Sequence, residues 1–416
     1  MAHIALLPFG SAGDVFPFLW LGRLLRSQGH QVTMIVACVF EEAVRSAGLE
    51  VIPLGKQEDF DRFIADPRVW QLYRGTKLVF ELAGESTETL IRAIEACHAR
   101  QRVDLLLAPC TAFGARLARE ALGIPLISVH LQPAVLISAH ETPVLFPGME
   151  HLRKIPLWLR RRLVRLPNPA DRFSAPSVNR ACAARGIKPP RSLWWDWAHS
   201  PDGVLCLFPE WFARPQPDWP PHLLQCDFPL EDMAVEKPLG EDVRRFLAAG
   251  DRPVVFTPGS ANIQARRFFQ VALEAVQRLG KRALFVTRKL DQLPPALPAS
   301  ILPVEYAPFS TLLPHAAAFV HHGGIGTLSQ GFAAGVPQLL MAMAHDQPDN
   351  AHRLWQLGAG IGITPRTFTP GRVVAALQKL LSDPAIQAAA SKCAGRIAER
   401  CPSSEPLLRW IGERLP

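Results

Sequence analysis

Residues 3–36 read HIALLPFGSAGDVFPFLWLGRLLRSQGHQVTMIV, and residues 253–286 read PVVFTPGSANIQARRFFQVALEAVQRLGKRALFV. Each opens on an apolar run, His3 to Phe9 or Pro253 to Thr257, and turns on glycine, at Gly10 and Gly13 or at Gly259. Apolar residues then follow at helical spacing: Phe18, Leu21, Leu24 and Leu25 in the first stretch, Phe268, Phe269, Ala272, Ala275, Val276 and Leu279 in the second. Gly29 or Gly280 ends the helix, and a second apolar run begins, Val32 to Val36 or Ala283 to Val286. Strand, glycine turn, helix, glycine stop, strand is the opening of a βαβ unit, and it occurs twice. Further strands are expected at Val103–Leu107 and Pro125–Val129, with a helix at Ala115–Leu122 between them. The alternation predicts an α/β chain with two doubly wound domains, parallel sheets and right-handed crossovers.

The 416 residues suit two or three domains, and 48% apolar with 20% charged residues excludes a disordered, collagen-like or long coiled-coil chain. Ala213–His222 carries four prolines in ten residues, which no helix interior or central strand accepts. The expected division is therefore an N-terminal domain over 1–214, a proline-rich linker over 215–222, a C-terminal domain over 223–400, and a terminal helix at 401–416 that packs back on the first domain. Two doubly wound domains facing each other would enclose a cleft at the carboxyl ends of their strands, where ligands bind in such folds. The N-terminus shows no basic region followed by a long apolar stretch, and no apolar run reaches bilayer length, so a cytoplasmic protein is expected. Eight cysteines without a C-x-x-C pair indicate reduced thiols rather than a zinc site or a disulfide framework.

Net charge is +8, but residues 151–191 hold eleven Lys or Arg against Asp171 alone, which leaves −2 for the rest. Nucleic acid would be met by charge spread along a face or groove, and no such partner is expected. Within that segment, residues 153–166 mix cations with Ile155, Leu157, Trp158, Leu159, Leu163, Val164 and Leu166, the composition of a helix lying in a lipid headgroup layer.

The most informative stretch for chemistry is Phe319-Val-His321-His322-Gly323-Gly324-Ile325-Gly326-Thr327-Leu-Ser-Gln330, followed by Gly335-Val-Pro337 and by His345-Asp346-Gln347. An apolar strand runs through small residues into a helix start. Glycines let backbone amides approach an anion, and the helix N-terminus favours negative charge, so a diphosphate is expected there with His322 and Thr327 as further donors. A nicotinamide dehydrogenase is disfavoured: residues 10–15 give G-x-x-G rather than G-x-G-x-x-G, and no acidic residue ends the second strand. No D-x-D or His-rich cluster offers a metal site. His345 is read as a loop residue, His3, His30 and His98 as surface or capping residues, and Trp194, Trp195, Trp197 and Trp211 as packing.

The array from Tyr306-Ala307-Pro308 through His322-Gly-Gly-Ile-Gly-Thr327 to Gly335-Val-Pro337 and Asp346-Gln347 resembles the donor-binding motif of GT-B glycosyltransferases of the UDP-glycosyltransferase superfamily (glycosyltransferase family 1). Gly10–Pro17 resembles the acceptor-side turn of the same family, and the resemblance covers essentially the whole chain. Gly10–Phe18, Asp66–Trp70, Ser138–His140 and His199–Phe212 further resemble the chain-B rhamnosyltransferases of rhamnolipid synthesis.

The resemblance implies two Rossmann-like domains facing across a cleft and an inverting, metal-independent transfer of a sugar from a nucleotide diphosphate, with no cofactor beyond that co-substrate. It places Tyr306 and Ala307 at the donor base and Ser260 at phosphate. Its diphosphate contacts fall on His322, Gly323, Gly324, Gly326 and Thr327, and its sugar contacts on Asp346 and Gln347. Gln330 stands where many relatives carry Glu for the two ribose hydroxyls; an amide suits a deoxyribose, hence a dTDP-sugar, with dTDP-L-rhamnose as the expected donor. Asp14 is the expected base, acting alone, because the loop Ala108-Pro-Cys-Thr111 offers no carboxylate to pair with it. The acceptor implied is a hydroxy-fatty-acid chain, with Phe16, Phe63, Trp70, Phe80 and His140 as candidate acceptor residues. Sterol- or polyketide-like acceptors and nucleotide-sugar epimerisation are the alternatives, and peripheral contact with the inner face of an anionic membrane is expected.

Overall fold

The computed structural model describes residues 1–146, 148–232, 238–259, 262, 265–399 and 404–415. The chain divides into two units: Met1–Pro143 with Gly148–Pro229 and Pro402–Pro416, and Val144–Pro147 with Leu230–Cys401.

The first unit is built on seven parallel strands, β1 (His3–Leu6), β2 (Gln31–Ala37), β3 (Glu50–Leu54), β4 (Leu105–Ala108), β5 (Leu126–His130), β6 (Val204–Cys206) and β7 (Leu223–Gln225). Their order is β3-β2-β1-β4-β5-β6-β7, so the chain reverses its direction of growth between β1 and β4. Ile4, Ala5 and Leu6 are fully buried, as are Leu105, Leu106 and Leu107, because helices cover both faces of a parallel sheet. The helix Leu72–Arg100 supplies one cover, burying Ala83, Leu90, Ile91, Ile94 and Cys97 at helical spacing. Its Gly84 permits close crossing with the helix Asp171–Ala183: a Cβ there would stand 2.7 Å from the Ser174 Cα.

The second unit repeats the plan with six parallel strands, β8 (Val254–Thr257), β9 (Ala283–Val286), β10 (Ile301–Val304), β11 (Ala318–His321), β12 (Gln338–Met341) and β13 (Gly360–Ile363). The order β10-β9-β8-β11-β12-β13 places its reversal between β8 and β11, with Thr257 opposite His321 at their carboxyl ends. Phe256, Phe268, Phe269 and Phe285 interlock in its core at ring separations of 5.2 to 6.2 Å.

Several sequence expectations meet a different structure. The proline-rich stretch does not separate the units, because β7 follows it and pairs with β6, with Val204 opposite Leu223; the first unit continues to Pro229. The terminal helix is not among these differences: it lies in the first unit, with Leu407 and Ile411 of Glu405–Gly412 buried and, beyond it, Arg414 Nε donating to the Asp202 carbonyl at 3.0 Å. His3 is a core residue, with Nε2 2.9 Å from Thr33 Oγ1 and Nδ1 3.1 Å from the Arg102 carbonyl. Residues 153–166 do not form one helix: a 3-10 segment, Met149–Lys154, precedes a short α-helix, Leu157–Leu163. Among the described residues no helix is long and apolar enough to cross a membrane.

Candidate functional site

β11 ends at His321, and the next three residues turn the chain into the helix Ile325–Ala333. Gly323 takes φ +91°, a left-handed conformation that glycine adopts without strain. The turn is held from below by His321. Its Nδ1 accepts the Gly323 N–H at 3.1 Å, so Nε2 carries the proton and donates to Gln338 Oε1 at 2.8 Å. Gln338 Nε2 in turn donates to the Leu328 carbonyl at 3.3 Å, joining the turn, β12 and the following helix. Burial, with His322 nearby, lowers the His321 pKa to about 3, which keeps the ring neutral and this hydrogen-bond pattern intact.

His322 points the other way. Its ring lies between two glycines: a Cβ on Gly259 would stand 2.5 Å from His322 Cε1, and a Cβ on Gly324 would stand 2.5 Å from His322 Nε2. Gly259 belongs to the loop after β8, so the imidazole sits where the sheet reverses direction. Burial lowers its pKa to about 4, and its buried Nδ1 has no partner among the described residues. The first-turn amides of Ile325, Gly326 and Thr327 have no acceptor within their own helix. A neutral imidazole and these amides together suit an anion. Gly323, by contrast, commits its amide to His321 and serves the site through its conformation. Ser260 lies outside the described residues.

The β12 loop supplies the next group. His345 holds φ +60°, and Asp346 and Gln347 follow at the start of the helix Gln347–Gln356. Gln347 Oε1 accepts the amides of Met343 at 2.8 Å and Ala344 at 3.4 Å, so its oxygen is committed to the loop and its amide nitrogen is the part left for a ligand. Asn350, fully buried, donates from Nδ2 to the Gly323 carbonyl at 2.9 Å and to Asp346 Oδ2 at 2.7 Å. The glycine turn and the Asp346 loop are thereby tied together by a residue that sequence reading missed. On the same helix, Asp349 and Arg353 form a buried pair at 2.7 Å, and Asp349 Oδ1 also accepts the Val144 amide at 2.9 Å. Gln330 is buried on the helix that starts at the turn. Tyr306 follows β10, three strands from β11; it is half-buried, with the Arg288 guanidinium carbon 5.8 Å from its ring centroid, and Ala307 beside it is buried. Arg288 was also missed, since a lone Arg in a loop carries no signal in sequence.

The first unit places Asp14 at the matching reversal, one turn into the helix Ala12–Ser27. Its Oδ2 accepts the Ser11 amide at 2.8 Å and the Ser11 hydroxyl at 3.2 Å, which closes a capping box. Gly10, at φ +132°, leaves room for the carboxylate: a Cβ there would stand 2.3 Å from Asp14 Oδ2. Burial raises the Asp14 pKa, opposed by the Ser11 bonds, which makes it a stronger proton acceptor than an ordinary carboxylate. In the neighbouring loop after β4, Cys110 is pushed up to about 12 by burial and stays a thiol.

The candidate acceptor residues do not gather on one element. Phe16 lies on the Asp14 helix, Phe63 on the helix Gln57–Ala65 and Trp70 in the 3-10 turn Pro67–Trp70. Phe80 packs at 6.0 Å against Trp194, and its carbonyl accepts the Ser174 hydroxyl, so it joins helices together. His140 is anchored by its backbone, donating to Ser138 Oγ at 2.9 Å and accepting Arg160 Nη1 at 3.1 Å.

Residues 4–139 match the glycosyltransferase family 28 N-terminal domain, and residues 273–406 match the C-terminal domain of erythromycin biosynthesis protein CIII-like proteins. The chain is 30% identical over 413 residues to O-mycaminosyltylonolide 6-deoxyallosyltransferase of Streptomyces fradiae, covering 95% of this chain and 94% of that one. Its fold is similar to that of the glycotransferase of kitacinnamycin, with a TM-score of 0.72 and 24% identity over 100% and 99% of the two chains. It is also similar in fold to the spinosyn rhamnosyltransferase SpnG complexed with thymidine diphosphate, with a TM-score of 0.66 and 17% identity over 96% of each chain.

Proposed function

From a chain that belongs to the GT-B glycosyltransferases of the UDP-glycosyltransferase superfamily, we propose an inverting rhamnosyltransferase that moves L-rhamnose from dTDP-L-rhamnose to the hydroxyl of a hydroxy-fatty-acid acceptor. It acts in the cytoplasm, at the inner face of the membrane. That it is a nucleotide-sugar-dependent glycosyltransferase follows from the family; the sugar, the acceptor and the place of action are the proposal.

The observation that carries the donor reading is the His322 ring seated between Gly259 and Gly324 at the start of the helix Ile325–Ala333. Bond cleavage leaves negative charge on the departing diphosphate, and the free first-turn amides, the neutral His322 and the Thr327 hydroxyl supply donors for it without a metal. Asp14 removes the proton as the acceptor oxygen attacks the anomeric carbon from the side opposite the leaving group, so the configuration inverts. Tyr306 and Ala307 serve the base, and Asp346 with the Gln347 amide nitrogen serves the sugar hydroxyls. Gln330 favours the deoxyribose, because an amide lacks the charge that would hold two ribose hydroxyls. Thymidine diphosphate in the SpnG complex supports the same base.

A second reading, a sterol- or polyketide-like acceptor, is favoured by the S. fradiae relative, whose name carries O-mycaminosyltylonolide as its acceptor. Incubation of the purified protein with dTDP-L-rhamnose or UDP-glucose and either a 3-hydroxyalkanoyl acceptor or a macrolide aglycone separates these. A rhamnosylated lipid product is expected; turnover only with the macrolide, or only with UDP-glucose, overturns the proposal.

A further inference from the structure

The cations of residues 151–191 divide into two sets. Arg153 and Arg160 turn inward, Arg153 lying 3.6 Å from Glu141 and Arg160 donating to the His140 carbonyl, while Arg185 holds Glu88 at 2.8 Å and Glu95 at 2.7 Å. Arg161, Arg162 and Arg165 stay exposed on the helix Leu157–Leu163 and the turn after it. The same short stretch exposes Trp158 by 60%, Leu163 by 39% and Leu166 by 59%. Trp195, 39% exposed, is fastened beside them, since its Nε1 donates to the Leu166 carbonyl at 3.2 Å. Four of the nine large apolar side chains exposed among the described residues thus lie on this one stretch and its neighbour.

We propose that this surface docks the protein on an anionic lipid bilayer. Water-exposed Trp and Leu side chains have an unfavourable contact that burial in the headgroup and acyl boundary relieves. The Arg162 guanidinium lies 5.5 Å from the Trp158 ring centroid, so inserting the ring brings a cation to phosphate level. The charge on the apolar stretch itself is of one sign, since residues 151–170 contain no carboxylate; Asp171 is engaged by the Ser192 hydroxyl and the Trp194 amide, and Asp196, exposed beside Trp195, accepts the Arg191 and Ser192 amides at 2.9 and 3.1 Å. A protein partner would have to bring matching acid, whereas an anionic leaflet presents it everywhere. Docking of this kind is reversible and weakens with salt, because the short helix carries no long insertion.

Sedimentation with phosphatidylglycerol-containing and pure phosphatidylcholine vesicles, at low and high salt, tests it. The wild-type protein should sediment with the anionic vesicles at low salt only. Arg162→Gln with Arg165→Gln, and separately Trp158→Ser with Leu166→Ser, should each weaken binding roughly tenfold or more. Both variants should keep the wild-type thermal transition and dTDP affinity, since neither touches the donor site. Absence of anionic-vesicle binding at low salt, or unchanged binding in both variants, overturns the proposal. Lipid-free self-association that Trp158→Ser with Leu166→Ser abolishes also overturns it, giving the surface to a second copy of the chain. Turnover on a soluble acceptor is read separately, so failure here leaves the transferase reading standing.

Discussion

The His322 imidazole occupies the space that any side chain on Gly259 would need, 2.5 Å from the position of a Cβ. Two loops from separate strands therefore meet at one ring, and the placing of that ring depends on a missing methyl group.

Gly259→Ala should move that ring and weaken dTDP binding at least about tenfold, while stability falls by only about 1–3 kcal/mol from the strained φ and the displaced ring. Calorimetric titration with dTDP beside a denaturant melt checks both; unchanged affinity would show that His322 does not contact phosphate.

Asp14→Asn should lower kcat by two or more orders of magnitude with dTDP affinity unchanged. Because burial raises the Asp14 pKa, the charged form opposes folding as pH rises through that value, so the variant should be no less stable near neutrality. Ser11→Ala removes the hydroxyl that holds the pKa down, and the acid limb of the rate profile should move to higher pH.

Acid should destabilise the second unit through its paired histidines. His321 titrates at about 3 and His322 at about 4 in the fold, against 6.5 for a free imidazole, so the unfolded chain binds protons first. Their contribution is complete above pH 6.5 and is lost progressively as pH falls from 6.5 toward 4 for His322 and toward 3 for His321. Urea melts from about pH 7.5 to about pH 4 should show a decline on the order of a few kcal/mol, and His321→Gln should flatten it.

Gln330→Glu should raise the affinity for UDP relative to dTDP by roughly threefold to tenfold, since a carboxylate accepts from both ribose hydroxyls. Competition between the two nucleotides measures the ratio directly.

Arg353→Met should cost about 3–5 kcal/mol, because it leaves the Asp349 carboxylate buried without its cation. The readout is the midpoint of a urea melt, and a loss within error of zero would show that the pair adds nothing net to stability.

What the sequence determined by itself was the pair of doubly wound units and the location of their turns. The apolar runs at β1, β2, β8 and β9, the glycine stops at Gly29 and Gly280 and the small residues at 323–326 are local signals, because strand burial, left-handed backbone and close amide approach each demand particular residues in place. The positions of Asp14, His322 and Thr327 beside such turns were legible for the same reason; their roles are the proposal.

The tertiary structure alone decided the rest. β6 and β7 are three residues each, too short for periodicity to register, yet their pairing carries the first unit through the prolines to Pro229. His3 is buried because Thr33 and the Arg102 carbonyl arrive from 30 and 99 residues away. Asn350 links Gly323 to Asp346, His321 meets Gln338, and Arg160 turns inward while Arg162 stays in water. A hydrogen-bond partner or a solvent-facing side is a property of position in three dimensions, set by packing between elements distant in the chain, and no local pattern of residue types encodes it.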